Sequence, residues 1–71
     1  MYLNNPDMLE RVHAHYPGAY AIRVEPGRGR VWVHCDPGQW NHRDIPGGTF
    51  QLGTSPATAA LVAEILALVA A

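Results

Sequence analysis

Two alternating runs, Ala19–Glu25 and Arg30–Cys35, flank Pro26-Gly27-Arg28-Gly29 and constrain this chain more than any other segment. β-Branched and aromatic residues every second position favour a half-buried strand. Proline fixes φ at the first corner and glycine permits the positive φ that a tight turn needs. The spacing therefore predicts a β-hairpin in which Glu25 faces Arg30, Val24 faces Val31, Arg23 faces Trp32 and Ile22 faces Val33. Because side chains alternate across a sheet, that register assigns Tyr20, Ile22, Val24, Val31, Val33 and Cys35 to an inward face. Arg23, Glu25, Arg30, Trp32 and His34 fall on the other.

Helices are expected on both flanks. Asn5-Pro6-Asp7 combines a capping residue, proline at the first helical position and a first-turn carboxylate. Met8, Leu9, Val12 and Tyr16 follow at helical spacing, and Pro17-Gly18 stops the run. Near the other end, Ser55-Pro56 opens a helix whose Leu61, Val62, Ile65, Leu66, Leu68 and Val69 cover about 160° of arc. Between hairpin and last helix, periodicity is lost from Asp36 to Gly48, a loop bracketed by Asp36-Pro37-Gly38 and Ile45-Pro46-Gly47-Gly48. Thr49-Phe50-Gln51-Leu52 reads as a third short strand. The expected fold is thus a single α+β domain over residues 1–71, ordered α-β-β-β-α, with a three-stranded antiparallel sheet packed on two helices. Its expected core is Leu9, Val12, Tyr20, Ile22, Val24, Val31, Val33, Phe50, Leu52, Leu61, Ile65 and Leu68.

A chain of 71 residues buries a modest share of its surface. Its one cysteine, Cys35, forms no internal disulfide, and no zinc-ribbon spacing is present. Core packing, self-association or a bound partner must then stabilise it. The net charge of −1 gives no nucleic-acid footprint, and all five basic residues are arginine. The lack of lysine with abundant alanine, glycine and proline suggests a high-GC bacterial genome or that of its phage. The start has no basic, apolar leader pattern, and the apolar stretch 57–71 carries Glu64 and is shorter than the roughly 20 residues of a spanning helix. A cytoplasmic protein without membrane association is expected.

Two surfaces stand out as candidate sites. Trp32, with Arg23, Arg30 and His34 around it and Trp40, His42 and Arg43 from the loop, forms a set rich in the residue types that interface centres favour. An intramolecular pair, Arg23 lying over Trp32, would use the same residues. On the last helix Ala60, Ala63, Ala67 and Ala70 form a small-residue face where a surface helix ordinarily carries charge, and a homo-oligomer seam is expected there. Alanine on a solvated face is the competing reading.

Chemistry is less well supported. His34, His42 and Asp44 can be grouped as metal ligands only by tertiary folding, because no pair has a recognisable ligand spacing. Asp36, His42, Asp44 and Cys35 have the right residue types for acid–base or nucleophilic work, but no pattern joins them. No catalytic residue, metal or cofactor is expected. Helix, three strands, helix resembles the element order of double-stranded RNA-binding domains. Those domains place basic residues where the last helix begins, and Ser55-Pro56-Ala57-Thr58-Ala59-Ala60 has none. The expectation is a non-enzymatic protein-binding or self-associating module, accessory or inhibitory to another protein. A nucleic-acid contact through Arg23, Arg28, Arg30 and Trp32 is the alternative.

Overall fold

The computed structural model describes residues 1–36 and 48–70. Its elements are β1 (Tyr2–Leu3), α1 (Pro6–His13), β2 (Ala19–Glu25), a 3-10 turn (Pro26–Arg28), β3 (Arg30–Cys35), β4 (Gly48–Leu52) and α2 (Pro56–Ala70). The strands form one antiparallel sheet in the order β1-β2-β3-β4.

The hairpin register is the one the alternation predicts, from Glu25↔Arg30 through Ile22↔Val33. Gly29 closes the turn at φ 63°, the left-handed region that a side chain resists. Val24, Val31 and Val33 are fully enclosed, and β4 continues the inward rows by placing Leu52 beside Val31 and Phe50 beside Val33. At α1, the Asn5 side chain accepts the Met8 N–H at 3.0 Å and so satisfies one of the free donors of the first turn. Met8 and Val12 are buried one helical turn apart and fix α1 on the sheet.

Four features differ from the sequence expectation. The sheet has four strands rather than three, because Tyr2 pairs with Arg23 and Leu3 with Ile22. Met1 extends that pairing through two backbone hydrogen bonds to Val24, of 2.8 and 2.6 Å. A two-residue strand has no periodicity to detect, and its backbone groups pair with those that β2 leaves free on this side.

Tyr20 is not in the core. Ala19 pairs with Cys35 and Ala21 with His34, so one extra residue is inserted into β2. This β-bulge shifts the alternation by one position: Ala19 takes the inward place, and Tyr20 turns out with 62% of its surface exposed. Leu68 is also outside the core, at 44% exposure, while Leu9 and Phe50 are half-buried at its margin. Met8, Ala19 and Cys35 complete the interior instead.

The fourth difference is at the start of α2. The Ser55 carbonyl accepts the N–H groups of Thr58 and Ala59 as expected of a cap position. The organising side chain, however, is Thr58, which is buried. Its hydroxyl accepts the Gly53 N–H at 3.0 Å and donates to the Ser55 carbonyl at 3.3 Å. One side chain therefore ties the end of β4 to the first turn of α2. Farther along, Glu64 receives two hydrogen bonds from Arg11 of α1, of 3.0 and 2.6 Å, between half-exposed side chains. Exposed pairs of this kind add little stability, but this one engages the sole charge on α2.

Candidate functional site

Core residues occupy one side of the sheet, and the register determines what stands on the other. The central row runs across all four strands as Tyr2, Arg23, Trp32 and Gln51. Glu25 and Arg30 form the row nearest the turn, and Ala21, His34 and Thr49 the row beyond. Of the residues named from the sequence, Arg23, Arg30, Trp32 and His34 are brought together on this face. Trp40, His42 and Arg43 lie outside the described residues, as does Asp44.

Trp32 is half-buried within a local network. Its indole N–H donates to Glu25 Oε1 at 2.5 Å, and the Arg23 guanidinium carbon sits 5.8 Å from its ring centroid. Strand pairing brings Arg23 opposite Trp32, and the turn returns Glu25 within reach. The intramolecular pair envisaged from the sequence is thus formed, and the Trp32 ring has partners within its own sheet.

The Trp32 hydrogen bond holds the Glu25 carboxyl below its ordinary pKa. Partial burial opposes that shift, while the positive charges of Arg28, Arg23 and Arg30 reinforce it. A carboxylate with a depressed folded-state pKa stabilises the fold above the unfolded value, near 4.3, and that contribution is lost as pH falls through the folded value. Glu64 shifts in the same direction because Arg11 donates to it. Denaturation midpoints measured from neutral to acid pH should fall through this window, and Glu25→Gln should flatten part of the slope. An unchanged slope in that variant would remove Glu25 from the acid response.

Among the described residues, two exposed tyrosines stand on this face that sequence reasoning did not place here. Tyr2 is 64% exposed and Tyr20 62%. Both rings lie against the His34 imidazole, at centroid separations of 5.7 and 6.2 Å. Nδ1 of His34 is 2.8 Å from the Thr49 hydroxyl, and its Nε2 is enclosed without a hydrogen-bond partner among the described residues. No local signal marked Tyr2, because β1 is too short, and alternation misplaced Tyr20 because of the bulge. Beside this pair, a groove of about 350 Å³ is lined by β1, the turn into α1, α1 and the start of β2, with Tyr2, Asn4, Leu9, Tyr20 and Ala21 among its residues.

The second candidate surface also exists as a surface. Ala60, Ala63, Ala67 and Ala70 are all exposed on α2, beside Leu68. Cys35 is buried on the core side of β3, where burial pushes its thiol pKa up and away from nucleophilic use. No group of three metal-binding side chains occurs among the described residues. No described helix is long and apolar enough to cross a membrane.

Fold and surface together define a small two-layer α+β domain with an aromatic, arginine-bearing sheet face. No protein-family model matches the chain, and comparisons with curated proteins and with solved structures find no match.

Proposed function

We propose that this chain is a small, non-enzymatic protein-binding module of the cytoplasm whose contact surface is the outer sheet face. The observation that carries the reading is the pair of tyrosines, each more than three-fifths exposed, packed on His34 of the sheet face that also carries the hydrogen-bonded Trp32. Tyrosine and tryptophan offer large contact areas at low conformational cost, and arginine joins them at the centres of protein interfaces. Here the backbone is part of a four-stranded sheet, so little ordering remains to be done on binding. The exposed alanine face of α2 supports self-association as a second mode, with Ala63 and Ala67 at its centre and Glu64 engaged by Arg11.

A displayed library of random peptides, panned on the full chain and on a Tyr2→Ser/Tyr20→Ser variant, tests the main reading. Enrichment on the native chain that disappears with the variant is expected. Equal enrichment on both, or none, would overturn it. Light scattering at several concentrations separates a second copy from a foreign protein as partner. A nucleic-acid role would instead show as oligonucleotide binding that weakens steeply with salt, because phosphate contacts release counterions.

A further inference from the structure

We propose that the outer edge of β4 pairs with the same edge of a second copy of this chain, joining two four-stranded sheets into one across a two-fold axis. The inference builds on the self-association reading but sets the contact at the strand edge rather than on the back of α2.

The backbone shows which groups of β4 are free. Val24 both donates to and accepts from Met1, so its N–H and C=O point toward β1. Backbone direction alternates along a strand, and residues directly opposite in an antiparallel pair either point at each other or both point away. Arg23 therefore points at β3 and Trp32 back at β2, while Val31 and Val33 point at β4. Phe50 and Leu52 return those bonds to β3. Thr49 and Gln51 are left with N–H and C=O groups directed out of the sheet, without partners among the described residues. Both residues are exposed. Sheet edges are commonly blunted by charge, proline or a bulge. Here β4 has no charged residue and no proline, and its register with β3 is unbroken.

Three features fit this edge to a second copy. Thr49 and Gln51 flank Phe50, so an antiparallel copy with Phe50 on the two-fold axis sets Thr49 opposite Gln51 twice. Such pairs exchange both of their hydrogen bonds, and every outward N–H and C=O of these residues in both copies is then used. Next, α2 lies over β3 and β4. Pairing at the edge sets two α2 axes roughly 10 Å apart, close to the usual helix packing distance. Finally, a two-fold contact brings any charge near its own copy, and the flank of α2 on this side has none. Val62 stands against Gly53 at the end of β4, with half-buried Leu66 and Val69 in the same row. Glu64, the sole charge of α2, is drawn to the other flank by Arg11 of α1. At the far side of the sheet β1 is only two residues long, so the contact closes as a pair and does not propagate.

Light scattering of the full chain from micromolar to millimolar concentration should show a monomer–dimer equilibrium. Amide hydrogen exchange locates the contact: Thr49 and Gln51 should gain protection as the dimer fills, whereas Phe50, bonded to β3, should be protected at every concentration. Thr49→Lys/Gln51→Lys sets like charges opposite each other in both pairs and should weaken the dimer by about tenfold or more, as should Thr49→Glu/Gln51→Glu. An equimolar mixture of the two variants should restore it, which a loss of folding in either would not allow. A chain with a methyl group on the Gln51 backbone nitrogen should be folded and monomeric, because that N–H takes no part in its own sheet. A monomer at millimolar concentration, a dimer whose Thr49 and Gln51 amides stay unprotected, or a mixture no tighter than its components would overturn the proposal. If the dimer persists through the edge changes and Ala63→Glu dissociates it, this interface falls and self-association survives. A monomer that still captures library peptides overturns this inference and leaves the tyrosine-face reading standing.

Discussion

Replacing Ile65 by alanine should cost about 2–5 kcal/mol, the range for truncating a large aliphatic side chain in a packed core. Ile65 is fully enclosed on the sheet-facing side of α2, among the largest buried side chains of the molecule. The loss has two parts: the transfer free energy of the removed methyl and methylene groups, and the cavity that neighbouring side chains cannot fill. At roughly 0.05–0.15 kcal/mol per residue, a domain of this size has about 4–10 kcal/mol of total stability. One substitution should therefore remove a large fraction of it. Urea denaturation should show a much lower midpoint with an unchanged slope, because the surface exposed on unfolding is nearly the same. A loss below about 1 kcal/mol would mean that α2 is not seated on the sheet as described. The same change at Leu68, which the helical pattern also assigned to the core, should cost far less, since that side chain is 44% exposed.

Gly53→Ala should destabilise by about 2–4 kcal/mol through two separable effects. Gly53 has φ 93°, a conformation that an L side chain adopts only with strain. A Cβ at this position would also lie 2.7 Å from Cγ2 of Val62, well inside contact distance. The junction has little room to adjust, because the Gly53 N–H is held by the buried Thr58 hydroxyl. A double-mutant cycle with Val62→Ala distinguishes the effects. Trimming Val62 should relieve the clash and make Gly53→Ala less costly, by roughly 0.5–3 kcal/mol of coupling, while the dihedral strain remains. Strict additivity would show that the approach of α2 to β4 is not what excludes a side chain here.

The junction at Gly53 also illustrates where sequence reasoning stopped. Gly53-Thr54-Ser55-Pro56 was legible as a helix start, because proline and a capping residue act through local geometry. The role of Thr58 was not, since a threonine inside a helix is silent until the strand end it must satisfy is in place. The hairpin shows the same division. The place of its turn and its register from Ile22 to Glu25 followed from alternation around Pro26–Gly29, although the positive φ falls at Gly29 after a 3-10 turn and not at the glycine that follows Pro26. The outward set of Arg23, Glu25, Arg30, Trp32 and His34 followed from the register. The bulge could not be read, because Ala19 and Tyr20 differ in size and no local rule says which faces inward. Only the interior decides, and it accepts alanine opposite Cys35.

The candidate site inherits that limit. Half of its aromatic content, Trp32 and His34, was visible as an outward strand face. The other half, Tyr2 and Tyr20, came from a two-residue edge strand and a shifted alternation. Tyr2 reaches His34 only because β1 crosses the chain to pair with β2, and that pairing carries no periodic signature.

By itself, the order of residues determined what is local: the cap of α1, the place where α2 begins, the position of the hairpin turn, and the pairing and facing of its strands from Ile22 to Glu25. Those features depend on φ preferences, side-chain periodicity and capping, which act over a few neighbouring residues. The tertiary structure decided the fourth strand, the eversion of Tyr20, the exposure of Leu68 and the groove between two tyrosines. Each of these arises when backbone groups or side-chain volumes from distant segments compete for the same partner or the same space, and that competition has an outcome only once the chain is folded.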